Sequence, residues 1–146
     1  MLSDDLTRVT LEGGAPTAWP GRSKLRLLVD ACDRFGISVT SLAPAPNWPD
    51  KYLIELPRWP EPVALRAVVA LERSDGPLQI EAVRGAQAAR TLAEQTYRIH
   101  YVAALGQTRK HFELVAATAA SATVLRTRGR ASVAEVAAAI VSELNR

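Results

Sequence analysis

Apolar and polar residues alternate through the first half of the chain, and helical spacing takes over in the second. Leu6, Arg8 and Thr10 alternate with Thr7, Val9 and Leu11, the period-two pattern of a strand over residues 6–12. Gly13-Gly14-Ala15-Pro16 breaks that pattern into a turn, and a second turn follows Thr17-Ala18-Trp19 at Pro20-Gly21. Lys24-Leu25-Arg26-Leu27 reads as extended; beyond it Leu28, Ala31, Cys32 and Phe35 fall at helical spacing, with Gly36 as the stop. Pro44, Pro46 and Pro49 exclude a helix from residues 38–50 and argue against strand pairing there. Residues 50–57 predict a strand, bracketed by Trp48 and Trp59, which are expected to cover core edges.

Pro60 and Pro62 punctuate the chain before Ala67-Val68-Val69-Ala70-Leu71, an apolar run of buried-strand length. Ser74-Asp75-Gly76-Pro77 is a turn, and residues 78–83 alternate as a strand should. From Ala86 the period becomes helical: Ala86, Ala89, Leu92, Ala93 and Thr96 predict an inner face, with Gln87, Arg90 and Glu94 outside. Gly106 separates a short segment, residues 100–105, from a helix over residues 108–120. Val124-Leu125-Arg126-Thr127 is a late strand, and Ser132 is placed to cap a final helix in which Val133, Val136, Ala137, Ile140 and Leu144 recur at helical spacing. Strands first, then helices with one late strand, is the order of an α+β fold rather than of repeated βαβ units.

The chain has 146 residues, 48% hydrophobic and 23% charged, which suits one globular domain with a real core. No apolar run reaches membrane-spanning length, and the acidic start lacks the basic region and apolar core of a signal peptide. The expected location is therefore cytoplasmic. A single cysteine, Cys32, excludes a disulfide framework within the chain and any Cys-based metal cluster, and is expected to be a buried small residue. The net charge of +3 is mild, and its arginines are spread along the chain. The densest group, Arg126, Arg128 and Arg130, has no interleaved aromatics and reads as a solvated strand end, with weak nucleic-acid binding through it as a lesser alternative. His100 and His111 lack zinc-ligand spacing and are expected in structural or surface roles. There is no Gly-rich loop ending in Lys and Ser/Thr, and Gly13-Gly14 is a turn rather than a phosphate cradle.

The remaining candidate is the adjacent pair Asp4 and Asp5 just before the first strand. A carboxylate near a strand end can hold Mg²⁺ or take the proton of an acceptor hydroxyl in phosphoryl transfer, although an Asp pair is also a common solvated turn.

The order of segments adds to this. Ser3-Asp4-Asp5, a strand, Ala18-Trp19-Pro20-Gly21 and Leu25-Arg26-Leu27 together resemble the second half of HPr kinase/phosphorylase-like serine kinases. Asp50-Lys51-Tyr52-Leu53, the runs Val68-Val69-Ala70-Leu71-Glu72 and Ile80-Glu81-Ala82-Val83-Arg84-Gly85, and Tyr97 with His111-Phe112 extend the resemblance over nearly the whole chain. It implies an incomplete phosphoenolpyruvate-carboxykinase-like sheet with C-terminal helices, and ATP- and Mg²⁺-dependent phosphoryl transfer to a serine of a protein or peptide. Asp4 and Asp5 would then be catalytic, Asp4 at the metal and one of the two as general base. Lys51 and Arg84 would lie nearest the phosphates, although exposed strand ends explain both equally well. Two departures stand out: the phosphate loop is not in this chain, and the family's Glu-Ile-Arg-Gly run is echoed only by Ala82-Val83-Arg84-Gly85. A non-catalytic binding or regulatory module on the same scaffold is the alternative. Strands such as Ala67–Leu71 would need another element at their edges, so a homo-oligomer or a partner chain is expected.

Overall fold

A computed structural model describes residues 2–57 and 59–146. It is a mixed α+β protein, with three three-stranded sheets among the described residues. Strands β1 (Arg8–Glu12) and β2 (Ala15–Trp19) are joined by Gly13 and Gly14 at φ 58° and 84°, the paired positive values that a two-residue hairpin loop needs. With β6 (Val63–Ala64) they form a sheet of order β1-β2-β6. The chain divides into two compact units, one of residues up to Val9 with Ala18–Val63, the other of Thr10–Thr17 with Ala64–Arg146.

In the first unit, β3 (Lys24–Leu28) and β4 (Ala43–Ala45) flank β5 (Trp48–Glu55), all antiparallel. Two prolines expected to prevent pairing lie inside these strands. Pro44 sits on the edge strand β4, where the register shifts beside it, so its missing N–H interrupts little. Pro49 is the second residue of β5, just beyond the Pro46-Asn47 turn, where Asn47 adopts φ 65°. Helix α1 (Val29–Arg34) ends before Gly36 at φ 65° and buries Cys32 completely, as its spacing predicted. The two tryptophans depart from expectation. Trp48 and Trp59 are both exposed rather than covering core edges. Trp48 instead lies under the Lys51 ammonium, 4.6 Å from the ring centroid.

In the second unit, β7 (Ala67–Leu71) runs parallel to β9 (Thr123–Arg128), and β8 (Gln79–Val83) runs antiparallel on its other side. Val124 and Leu125, neighbours on the central strand, face opposite sides of the sheet, and both are buried. Val124 joins Val83 and Ala88 in the core, with Leu92 and Ala119 packed against them. Those last three residues come from α2 (Gly85–Glu94) and α4 (Thr108–Ser121), which pack on one another; α3 (His100–Ala104) lies between them in sequence.

Most of the predicted α2 face holds, with Ala89, Leu92, Ala93 and Thr96 half-buried and Gln87, Arg90 and Glu94 exposed, but its fully buried positions are others. Ala88 and Thr91 are its buried residues, whereas Ala86 is exposed. Buried threonines misled the apolar count: Thr91 and Thr118 both lie inside, and Thr118 returns its hydroxyl proton to the Leu114 carbonyl at 2.8 Å. The apolar run Ala67–Leu71 is an edge strand in which Ala70 alone is buried and Leu71 is exposed.

Helix α5 (Val133–Leu144) opens with a complete capping box. The Glu135 amide donates to Ser132 Oγ at 3.2 Å, and the Ser132 amide donates to the Glu135 carboxylate at 2.7 Å. Among the described residues no helix is long and apolar enough to cross a membrane.

The arginines of β9 are more engaged than a solvated strand end would be. Arg126 and Arg128 both bond Glu72, at 2.5 and 2.8 Å, and Arg126 is mostly covered. The Arg126 hydrogen bond first, and the Arg128 hydrogen bond after it, hold the Glu72 carboxyl below the usual carboxylate range. A lowered folded-state value adds stability that is present above the unfolded value of about 4.3 and is lost as pH falls through the folded value. Glu72→Gln should therefore weaken the fold at neutral pH, and its deficit against wild type should shrink as pH drops below about 4. Urea unfolding across a pH series reads this directly; a deficit constant down to pH 2 would show that the carboxylate charge contributes nothing.

Candidate functional site

The Asp4-Asp5 pair lies in a bend pinned from two sides. The Gly21 amide donates to the Leu2 carbonyl at 2.9 Å, and the Ser3 hydroxyl donates to the Leu6 carbonyl. Gly21 packs directly on Ser3: a Cβ built there would sit 2.2 Å from Ser3 Oγ and 3.0 Å from Ser3 Cβ, so a small side chain requires the Ser3 hydroxyl to turn away and a branched one requires more. Next to it, the Arg8 guanidinium lies 5.0 Å from the Trp19 ring centroid, across the open ends of the hairpin strands. Strand β1 starts at Arg8, so Leu6 and Thr7 separate the carboxylates from it.

Asp4 is half-buried and Asp5 exposed. Among the described residues neither makes a hydrogen bond or ion pair, and no group of three or more His, Cys, Asp or Glu side chains converges as a metal cage. Two free carboxylates on a fixed bend are nevertheless the protein share of many Mg²⁺ sites, where one or two carboxylates act together with water and substrate phosphates. The donor set thus fits Mg²⁺ as a shared ligand. It does not supply a phosphate cradle, because the positive-φ pair Gly13-Gly14 is spent on the hairpin turn.

The two cationic candidates each have their own setting. Lys51, opposite Leu28 in the β3–β5 ladder, belongs to the same unit but is stacked on Trp48. Arg84 belongs to the other unit, at the extended N-cap position of α2. There it borders a cavity of about 900 Å³ floored by alanines of α2 and α4, with the exposed Phe112 ring also lining it. His111 shares a 2.9 Å hydrogen bond with Thr96, and His100 lies against Tyr101 with ring centroids 4.3 Å apart; both contacts are local and structural.

Ser3 and Gly21 as the clamp of the Asp pair were not legible in the sequence. A Pro-Gly dipeptide reads as a turn, and nothing in it shows that a hydroxyl occupies the space of the missing Cβ. Comparison with family models, with curated proteins and with solved structures finds no match to this chain.

Gly21→Val should expel the Ser3-Asp4-Asp5 segment and cost about 1–3 kcal/mol, the usual penalty for forcing volume into an occupied space. Amide hydrogen exchange should then rise at residues 3–6. Unchanged protection there would show that the clamp does not hold the pair.

Proposed function

We propose that this chain is the C-terminal part of an HPr-kinase-like serine kinase, in which Asp4 and Asp5 form the metal and general-base half of a phosphoryl-transfer site. One observation carries the reading. Two carboxylates that make no ion pair among the described residues lie in a bend tied by the Gly21–Leu2 and Ser3–Leu6 hydrogen bonds, with Ser3 packed against Gly21. A solvated turn gains little from such a clamp, whereas a base must be held within hydrogen-bond reach of the hydroxyl it serves.

Asp4, the more buried of the two, would share Mg²⁺ with the nucleotide phosphates, and the exposed Asp5 would receive the serine proton. When bound, Mg²⁺ supplies neutralisation of the developing phosphate charge. The phosphate loop would have to come from outside these 146 residues. Lys51 and Arg84 enter this reading only as secondary phosphate contacts.

A non-catalytic binding or regulatory module is the second reading. It is favoured by the stacking of Lys51 on Trp48, which engages one of the two cations assigned to phosphate. Thermal unfolding with and without Mg·ATP separates the two. The kinase reading expects stabilisation by about 1.4 kcal/mol at a tenfold excess over Kd, lost in both Asp4→Asn and Asp5→Asn. Melting that is identical for all three proteins, with or without Mg·ATP, would establish the module reading instead.

A further inference from the structure

The uncompensated positive charge of this chain is concentrated in one stretch. Of its 18 Lys and Arg and 15 Asp and Glu, residues 95–112 hold Arg98, Arg109 and Lys110 and no acid. That stretch carries a charge equal to the whole net +3, and the remaining 15 of each sign cancel. The β9 arginines are engaged elsewhere: Arg126 and Arg128 share Glu72, and Arg130 pairs with Asp75 at 2.7 Å. By contrast, Arg98 and Lys110 make no ion pair among the described residues. Arg109 has an exposed one, to Glu113 of its own helix at 3.4 Å, of the kind that contributes little.

Aromatic rings interleave with these cations, as they do not among the β9 arginines. The Arg98 guanidinium lies 5.0 Å from the Tyr97 ring centroid and 5.9 Å from that of Tyr101, so one flat cation joins both rings. The His100 ring, 4.3 Å from Tyr101, steadies the second of them. Tyr97 is 59% exposed and Tyr101 47%, so neither ring serves the core.

Two local preferences are broken to hold this arrangement. Arg98 has φ 51°, a left-handed conformation that residues with side chains rarely adopt. Arg109 and Lys110 stand in the first turn of α4, which holds no acid and where the helix dipole disfavours cations. The Thr96–His111 hydrogen bond of 2.9 Å ties the two places together, so both lie at one end of this unit. Each departure costs the fold locally, and such departures collect at functional surfaces.

A partner for this surface must be anionic and must offer flat faces to stack on. A single nucleic-acid strand has both in one polymer: phosphates for the cations and unpaired bases for the rings. A duplex keeps its base faces inside its own stack, and a phospholipid headgroup brings charge without a flat face. We propose that Tyr97, Arg98 and Tyr101, with Arg109 and Lys110, bind single-stranded nucleic acid, the tyrosines stacking on bases and the cations meeting phosphates. The proposal does not rest on the Asp4-Asp5 reading.

Fluorescence anisotropy of labelled oligo(dT) and oligo(U) strands of about twelve nucleotides, titrated with the full chain, tests this. Binding of either strand supports the proposal, and a preference between them names the sugar. Affinity should fall about 20-fold from about 50 to about 200 mM salt, as three phosphate contacts require. Tyr97→Ala and Tyr101→Ala should each weaken binding about tenfold, whereas Tyr97→Phe, which keeps the ring, should bind as wild type does. Arg98→Gly suits the positive φ, so it should fold like wild type yet bind about fivefold more weakly, with a shallower salt dependence. Arg26→Gln, an exposed cation of β3, should change nothing. Failure of both strands to bind at about 50 mM salt overturns the proposal, as does binding that both tyrosine-to-alanine variants leave intact. Equal binding of the matching duplex, preference for phosphatidylserine vesicles, or an equal loss in Arg26→Gln would each overturn it as well.

Discussion

Burial of Val124 and Leu125 on opposite faces of one strand is the constraint on which the larger unit depends. Successive residues of a strand point to opposite faces, so two buried neighbours demand cover on both sides of the sheet. On the Val124 side that cover is α2 and α4, whose Ala88, Leu92 and Ala119 complete the core with Val83. The parallel partner β7 and the antiparallel partner β8 hold β9 central. Beyond the apolar end of the strand, Arg126 and Arg128 are held within the sheet by sharing Glu72. One carboxylate between two guanidiniums keeps a half-covered charge from being left without a partner.

The candidate site rests on a different and smaller constraint, the space that Gly21 leaves for Ser3. It positions carboxylates without neutralising them, which is the arrangement a metal- and proton-handling group requires. Phosphate recognition is the complementary requirement, and Lys51, one of its two candidates, is stacked on Trp48. The kinase reading therefore describes half of a reaction centre.

Period and punctuation made most elements legible. The strands at β1, β3, β5, β7, β8 and β9, the helices with their glycine stops, and the Ser132 cap all follow from local pattern. The failures share a cause, since each turns on what another segment places nearby. Pro44 and Pro49 read as strand breakers until an edge and a bulge accommodate them. Ala86 read as inner until Val83 and Val124 fixed the face of α2 at Ala88 and Thr91. For α5 the apolar arc is so wide that spacing alone could not say which side faces its own chain. Asp4 and Asp5 stood out as residues from the start; what holds them did not.

Mn²⁺, which takes the same oxygen ligands as Mg²⁺ and broadens nearby NMR signals, tests the central claim most directly. At substoichiometric Mn²⁺, amide signals of Ser3, Asp4, Asp5 and Gly21 should broaden first, ahead of those beside the exposed carboxylates Glu12, Glu61 and Asp75. Asp4→Asn should abolish that preference. Broadening spread evenly over the acidic surface, or unchanged in Asp4→Asn, would contradict a metal-holding role for the Asp pair.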